Sequence, residues 1–179
     1  MQELLPILKG CRENDRLSQE QLYKLFYADM YRHCRRYITD PHTILSVLND
    51  AFMKVFKNIE AYKGDGSLFR AWMKKVLMNT IIDHLRVTKA QLYVVHMDEV
   101  RELGEDDFYM DSKWSREQLG IHLAALPPVT RLVTSLFAFE GYTHQEISLA
   151  LDISEKTSRW HLFEGRKKLK QMLCLKSTK

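Results

Sequence analysis

Glycine and proline are scarce in this chain, which has only seven glycines and four prolines among its 179 residues. Long runs of β-branched residues, the usual signal of strands, are absent as well. Hydrophobic residues nevertheless make up 45% of the chain, which is enough for a buried core. The composition therefore predicts an all-α protein, and the length suffices for one large or two small domains.

Cysteine is also rare, and the three cysteines, Cys11, Cys34 and Cys174, are widely spaced. An odd number at such spacing indicates neither a disulfide framework nor a zinc site, and it fits a reducing cytosol. No apolar run approaches the roughly 18 residues that span a bilayer, and no signal-peptide pattern is visible. We therefore expect a cytoplasmic protein without a membrane-inserted segment.

Recognisable catalytic motifs are missing too. The patterns GxxxxGK[ST], HExxH, GxSxG and CxxC do not occur, and the seven histidines are isolated from one another. We expect no enzymatic activity, no cofactor and no metal site. Binding, rather than catalysis, is the class of function that these absences favour.

Charge is small in sum but unevenly spread, with a net value of +4. Eight Lys and Arg stand against three Asp and Glu from Lys54 to Gln91, and eight stand against two from Ser154 to the end. The balance reverses from Arg86 to Ser112, with three basic residues against seven acidic ones. Two basic segments around an acidic one are typical of nucleic-acid binding. From charge alone, a solvated basic face without a ligand stays open.

The segment from Tyr142 to Leu169 has the pattern of a helix-turn-helix. Thr143 and Glu146 match a capping box at the start of a first helix, and Ser154 can cap a second helix after a tight turn. In this motif the second helix enters the major groove of DNA. The candidate DNA-contacting residues on it are Lys156, Thr157, Arg159, Trp160, His161, Arg166 and Lys167.

A second amphipathic helix is predicted after Asp40-Pro41, which pairs an N-cap with proline at the first helical position. From Ile44 to Ile59, apolar residues repeat at helical spacing. The opposite face carries polar residues and two apolar ones, which suggests a surface for a partner. Scattered apolar side chains without a partner are the alternative. This face comprises Leu45, Ser46, Asn49, Asp50 and Met53.

A loop with turn residues, Tyr62 to Ser67, precedes a predicted helix from Leu68 to about Val87. Residues three or four apart give one face of that helix an aromatic ring, an amide and cations. Aromatic rings stack on bases, amides read base edges and cations hold the backbone, so the face suits single-stranded DNA. A partly buried tryptophan beside solvated charges is the alternative. The candidates are Lys63, Trp72, Lys75, Asn79, Asp83 and Arg86.

Three further patterns mark helix ends. Ser18-Gln19-Glu20-Gln21 matches a capping box and predicts a helix that starts at Ser18. Pro127-Pro128 predicts the start of a later helix, and Gly141 predicts its end.

In their order and spacing, these segments closely resemble one family. The first half contains LYKLFYADMYRHCRRY, DPHTILSVLNDAFMKVF and YKGDGSLFRAWMKKVLMNTIIDHLR, and the second half contains LPPVTRLVTSLFAFEGYTHQEISLALDISEKTSRWHLFEGRKKL. From about Leu17 to Leu173 the chain is similar to the extracytoplasmic-function (ECF) sigma factors of the sigma-70 family. These are initiation subunits of bacterial RNA polymerase.

The resemblance implies two small helical domains, sigma region 2 over residues 1–87 and sigma region 4 over residues 114–179, joined by a flexible acidic linker over 88–113. Region 2 would dock on the β′ clamp of core RNA polymerase through the face from Leu45 to Met53. It would also melt the −10 promoter element, with Asn79 at the pocket of a flipped-out base. Region 4 would read the −35 element and contact the β flap.

The same resemblance implies that the linker threads toward the RNA channel of the polymerase, although a merely solubilising linker stays open. The implied partners are core RNA polymerase and promoter DNA. An anti-sigma factor is a further partner of many family members.

The chain departs from the family pattern in the helix-turn-helix. Asp152 stands where glycine is common, although aspartate tolerates a left-handed turn better than most residues. Ser158 replaces an apolar residue, Trp160 and His161 replace a Ser-Arg pair, and Glu164 stands where a basic residue is frequent. These changes leave the fold credible and the promoter sequence unpredictable.

Two other functions fit the residues without the resemblance. A stand-alone helix-turn-helix regulator would bind palindromic duplex DNA tightly without polymerase. A helical adaptor would bind no DNA, and its C-terminal basic residues would be dispensable.

Overall fold

The computed structural model describes residues 4–64, 66–89 and 116–174, and these residues form helices and connecting turns without any strand. The prediction of an all-α fold is confirmed. The chain divides into two compact units, Met1–Leu85 and Arg86–Lys179, called here the first and second units. The helices are α1 (Leu4–Arg12), α2 (Arg16–Cys34), α3 (Pro41–Lys57), α4 (Phe69–Lys89), α5 (Arg116–Ala124), α6 (Pro128–Glu140), α7 (His144–Leu151) and α8 (Glu155–Cys174), with a short 3₁₀ helix at Ile59–Ala61.

The first unit is built from α1, α2, α3 and most of α4, with α2 packed against both α1 and α3. Phe69 of α4 is fully buried, and its ring centroid lies 5.6 Å from Phe26, 5.1 Å from Tyr62 and 5.5 Å from Trp72. The apolar stripe predicted on α3 faces this core. Its buried members are Ile44, Val47, Leu48, Ala51, Phe52 and Val55.

Side-chain caps decide where α2 and α3 begin. Asp40 caps α3 as predicted, because its Oδ2 accepts a hydrogen bond of 2.7 Å from the Thr43 amide. The predicted start of α2 at Ser18 is wrong, since the helix begins at Arg16 and Asp15 is its N-cap. The Asp15 Oδ2 accepts from both the amide and the hydroxyl of Ser18, at 2.8 and 2.6 Å. Aspartate is as good an N-cap as serine. The helix can therefore begin directly after Asp15, and it is longer than a helix that begins at Ser18.

The second unit packs α5, α6 and α7 against α8, and α6 also contacts α7. As predicted, α6 starts at Pro128 and is ended by Gly141, its C-cap, which follows Glu140 and has a left-handed φ of 72°. Arg131 is buried within α6, and its Nη2 donates hydrogen bonds of 2.9 Å to the carbonyl oxygens of Ala124 and Leu126. This guanidinium therefore satisfies carbonyl groups at the end of α5.

The crossing of α6 and α8 is unusually close at Gly165. A Cβ built on Gly165 would overlap the Oγ1 of Thr134, and it would also crowd the methyl group of Thr130 at 3.3 Å. Both threonines are buried side chains of α6. The absence of a side chain at residue 165 is therefore what allows the two helices to approach.

The described helices include none that is both long enough and apolar enough to cross a membrane.

We expect Gly165→Ala to destabilise the second unit by about 1–3 kcal/mol, because a new methyl group would overlap the buried side chain of Thr134. Gly120→Ala is the matched control, since a Cβ on this α5 glycine meets nothing within 4 Å. That change should be neutral or should stabilise by about 0.5–1 kcal/mol. Urea unfolding followed by circular dichroism measures both. An unchanged midpoint for Gly165→Ala would contradict the close crossing.

Candidate nucleic-acid interface

The two helices of the predicted helix-turn-helix form as expected. The Thr143 Oγ1 accepts from the Glu146 amide at 3.2 Å, and the Glu146 Oε2 accepts from the Thr143 amide at 2.8 Å, so the capping box is complete. Asp152 takes the left-handed conformation at the end of α7, with φ 54° and ψ 52°. The Ser154 Oγ then accepts from the Thr157 amide at 3.0 Å and caps α8.

The buried residues of α8 determine which of its faces is open. They lie three or four residues apart and share one side of the helix, so the opposite side is the one that a ligand can reach. The buried residues are Ser158, His161, Leu162, Gly165 and Leu169. Of the seven predicted DNA-contacting residues, Lys156, Arg159 and Lys167 are exposed, Thr157, Trp160 and Arg166 are half-buried, and His161 is buried.

His161 does not lie on the open side, and the expectation that it contacts DNA is corrected here. Its side chain is 4% exposed, and its Nδ1 lies 3.0 Å from the Oγ1 of Thr130 in α6. Burial lowers the pKa of His161 from its ordinary 6.5 to about 4. The imidazole is therefore neutral at pH 7 and belongs to the core of the second unit.

Ser158 is the second polar residue that α8 places in this core. It is fully buried, and its Oγ lies 2.9 Å from the Nδ1 of His144 at the start of α7. Burial lowers the pKa of His144, and the nearby Arg159 guanidinium lowers it further. Ser158, which replaces an apolar residue of the pattern that the sequence resembles, thus has a specific partner on α7.

The basic residues of α8 differ in how freely they project. The Arg159 guanidinium lies 3.4 Å from the Glu155 carboxylate, one helical turn away, and both side chains are solvent-exposed. The Arg166 guanidinium lies over the ring of Phe137 in α6, 5.6 Å from its centroid. Arg159 is therefore the better placed of the two for contact with a ligand in front of α8.

Phe163 was missed in the sequence analysis. It is half-buried and lies three residues after Trp160 and seven after Lys156, which places it with them on the open side of α8. That spacing was visible in the sequence. The reason to prefer it to His161 came only with the knowledge of which side α8 buries.

The predicted partner face of α3 is exposed as a continuous strip. Leu45 is 39% exposed and Met53 is 67% exposed, although both are apolar. Ser46, Asn49 and Asp50 lie between them and are exposed too. The side of α3 that does not pack on the core therefore presents two apolar side chains and one carboxylate.

On α4, the predicted face for single-stranded DNA is open except at its tryptophan. Trp72 is half-buried, with its ring 5.6 Å from Tyr62 and 5.5 Å from Phe69. Of the remaining candidates, Lys63 lies in the preceding loop, and all are exposed: Lys63, Lys75, Asn79, Asp83 and Arg86. Trp72 thus serves the core with part of its ring and leaves the rest at the surface.

Asp83 already has a partner within the first unit. Its Oδ2 accepts a hydrogen bond of 3.0 Å from the Lys54 Nζ of α3. A carboxylate would repel a nucleic-acid phosphate, whereas this ion pair joins the two helices whose outer faces are the candidate surfaces. In this structure the Asp83 carboxylate therefore binds Lys54 and links α4 to α3.

The loop before α4 is anchored at Tyr62. The Arg12 Nη2 donates to the Tyr62 carbonyl oxygen at 2.8 Å, and the Gly66 amide donates to the Tyr62 hydroxyl at 3.2 Å. Tyr62 itself is buried. These bonds tie both ends of the loop that carries Lys63 to the core.

The predicted acidic linker, residues 88–113, lies outside the described residues except for 88 and 89, which belong to α4. Cys11 and Cys34 are free and buried, and burial raises the pKa of their thiols to about 11 and about 12. Among the described residues, no group of three His, Cys, Asp or Glu side chains is placed to hold a metal ion.

Comparison with known proteins gives matches in both units. Residues 22–91 match the family model of Sigma-70 region 2, and residues 122–169 match that of Sigma-70, region 4. The ECF RNA polymerase sigma factor SigM of Bacillus subtilis is 24% identical over 158 residues, which cover 87% of this chain and 95% of SigM.

Two further proteins are similar over most of this chain. The ECF RNA polymerase sigma factor SigE of Mycolicibacterium smegmatis is 25% identical over 166 residues, which cover 90% of this chain and 63% of SigE. A solved structure of the sigma factor RpoE with the anti-sigma factor NepR from Bartonella quintana aligns with a TM-score of 0.48 at 15% identity, covering 86% of this chain and 95% of that one.

We expect the neutral state of His161 to make the second unit sensitive to acid. Because the pKa of His161 is lower in the folded chain than its ordinary 6.5, the unfolded chain binds more protons between pH 6.5 and about 4. Stability from this group is fully present above pH 6.5. It falls with decreasing pH by up to roughly 1.4 kcal/mol per pH unit within that window.

Urea unfolding at pH 7, 6, 5 and 4.5 measures this dependence. His161→Gln keeps a hydrogen-bonding side chain and removes the titration, so its stability should change less with pH than that of the unaltered chain. His42→Gln, at an exposed position of the first unit, is the control. Parallel curves for His161→Gln and the unaltered chain would show that His161 does not contribute.

Proposed function

Because this chain belongs to the sigma-70 family, as an RNA polymerase sigma factor of the ECF class, we propose that its two units divide promoter recognition between the surfaces described above. It is a transcription initiation factor and not an enzyme. It binds core RNA polymerase and directs promoter recognition and DNA melting. The observation that carries the proposal is that regions 2 and 4 match separately, with most of the region 2 match in the first unit and all of the region 4 match in the second.

We assign the region 2 domain to residues 1–87, the acidic linker to 88–113 and the region 4 domain to 114–179. The matched segments, 22–91 and 122–169, support this division. We place the linker in the RNA channel of the polymerase. That channel holds RNA, which is negatively charged, and an acidic segment of protein carries the same sign of charge. The protein works where the polymerase works, in the cytoplasm. An anti-sigma factor is a further proposed partner, as for many members of the family.

The α3 face is the proposed docking site for the β′ clamp of core polymerase. Leu45 and Met53 are exposed apolar side chains. Burying them against a partner would favour binding by a free energy of about 25 cal/mol for each Å² of apolar surface covered. Asp50 adds one carboxylate, and Ser46 and Asn49 offer hydrogen bonds at the same face. The proposed contact is therefore mainly apolar.

The loop at Lys63 and the outer face of α4 form the proposed −10 surface. Lys63, Lys75 and Arg86 supply cations for the DNA backbone, and the Asn79 amide can read the edge of an unstacked base. The exposed part of the Trp72 ring offers a surface for stacking. Asp83 does not contact DNA in this proposal. Its role is to hold the side chain of Lys54.

The open side of α8 is the proposed −35 surface, entering the major groove as the second helix of a helix-turn-helix. Lys156, Arg159 and Lys167 are exposed there, whereas His161 is excluded by its burial. The second unit also meets the β flap in this proposal. Two linked sites raise each other's effective concentration, so each unit can bind weakly alone and the pair can bind well on the polymerase.

Docking can be tested at Met53. Met53→Asp should weaken binding to purified core polymerase at least tenfold, because a charge would be buried in an apolar contact. Folding should be retained, since the side chain is 67% exposed. Leu17→Asp, at a comparably exposed apolar residue of α2 (69% exposed), is the matched control and should bind core normally. Equal affinity of both variants would argue against the α3 face.

Promoter reading can be tested by transcription with purified core polymerase on a library randomised at the −10 element. Asn79→Ala should change which −10 sequences are used and leave core binding intact, because it removes an edge reader. Lys75→Ala should lower transcription from all −10 sequences about equally, because a contact to the DNA backbone carries no sequence information. An unchanged −10 preference in Asn79→Ala would remove the pocket assignment.

The same assay tests the function itself. The unaltered chain should support initiation only together with core polymerase. Tight binding to a palindromic duplex without polymerase would instead favour a stand-alone regulator, and no initiation from any member of the library would overturn the proposed function.

A further inference from the structure

Two aromatic residues, Trp160 and Phe163, lie on the open side of α8, where the function proposed above requires only cations. Residues of an α-helix follow one another by about 100° around its axis. Measured from the fully buried Ser158, Trp160 lies about 200° and Phe163 about 140° around the helix. Both directions point away from the core, and Lys156 and Lys167 lie between or beside them.

Neither of these two rings is fully buried in the core of the second unit. Each remains half-buried rather than enclosed, although the second unit buries large apolar side chains elsewhere, such as Leu136 and Leu162. A helix that needed only solubility on this side would carry polar residues at both positions. The exposed part of each ring is therefore available to a ligand in front of α8.

The Trp160 indole is supported from behind. Its ring lies edge-on to the His161 ring, with centroids 4.8 Å apart. His161 is itself held by the Oγ1 of Thr130 at 3.0 Å. A buried polar pair thus backs the indole, which limits its motion and allows it to select one feature of a ligand.

The charges beside the rings identify the class of ligand. Lys156, Arg159 and Lys167 are exposed on the same part of α8. Rings among cations suit duplex DNA, in which phosphates meet the cations and apolar groups are found on the floor of the major groove. The apolar group in that groove is the C5-methyl of thymine.

We propose that Trp160 and Phe163 are specificity-determining residues of the −35 surface and that they select thymine by apolar contact with its C5-methyl group. This proposal rests on the assignment of α8 to the −35 element. Residues three apart advance about 4.5 Å along a helix, against 3.4 Å per base pair of DNA. The two selected thymines, on either strand, therefore lie one or two base pairs apart.

The test uses the full chain with core polymerase on promoters randomised at the −35 element. The unaltered chain should enrich thymine at two positions one or two base pairs apart. Trp160→Ala and Phe163→Ala should each relax one of these positions. Lys167→Ala, on the same side of the helix, should lower binding to all sequences about equally and leave the thymine preference intact.

Deoxyuridine separates the methyl group from every other property of the base pair, because it lacks only the C5-methyl of thymine. Replacing each selected thymine by deoxyuridine should weaken open-complex formation by the unaltered chain about three- to tenfold. The corresponding alanine variant should show no such loss. Absence of this loss with the unaltered chain would overturn the proposal even if a variant folds poorly.

Each other result overturns the proposal. Initiation without thymine enrichment, or without loss on deoxyuridine, would reject the methyl contact and leave the sigma-factor function standing. Alanine variants that lose affinity for core polymerase, with an unchanged −35 preference, would show that the rings face a protein instead. Absence of initiation on any promoter would reject the proposed function and this inference with it.

Discussion

The close crossing of α6 and α8 is the constraint from which the second unit takes its form. Gly165 has no side chain, and the space that its Cβ would need is occupied by Thr134 of α6. Once α8 is held at this distance, only one of its sides can meet α6 and α7. The side that remains open is the proposed DNA-reading face, so a contact on the far side of the helix decides which residues are offered to a promoter.

Two hydrogen-bonded pairs favour one rotation of α8 about its own axis, the one that turns its buried side toward α6 and α7. Ser158 pairs with His144 and His161 pairs with Thr130, all in or near the core. A buried polar group that loses its partner costs about 1–3 kcal/mol, so rotations of α8 that separate these pairs are disfavoured. Two departures from the family pattern, Ser158 and His161, are therefore features of the core. The departure at Trp160, by contrast, leaves part of its ring at the surface.

In the first unit, two neighbouring helices, α3 and α4, each pack on the core with one side and leave the other side exposed. The aromatic cluster around Phe69 holds α4, and the apolar stripe of α3 packs on the same core. The Lys54–Asp83 pair then joins α3 to α4 at the surface. An exposed ion pair adds at most about 1 kcal/mol, so its effect lies in orientation more than in stability. The outer faces of both helices therefore stay accessible.

Local chemistry in the sequence by itself determined much of this protein: the all-α fold, the caps at Asp40, Thr143 and Ser154, the ends of α6, and the exposed face of α3. These follow from capping and helical spacing, which act within a few residues. The start of α2 was misplaced because two good caps, Asp15 and Ser18, stand three residues apart. Tertiary structure alone decided that His161 is buried and Phe163 only half-buried, since spacing defines the faces of α8 but not which of them meets its neighbours. For the stretch from Thr143 to Leu169, the sequence thus predicted two capped helices with a tight turn between them, and packing at Gly165 decided which side of α8 stays open.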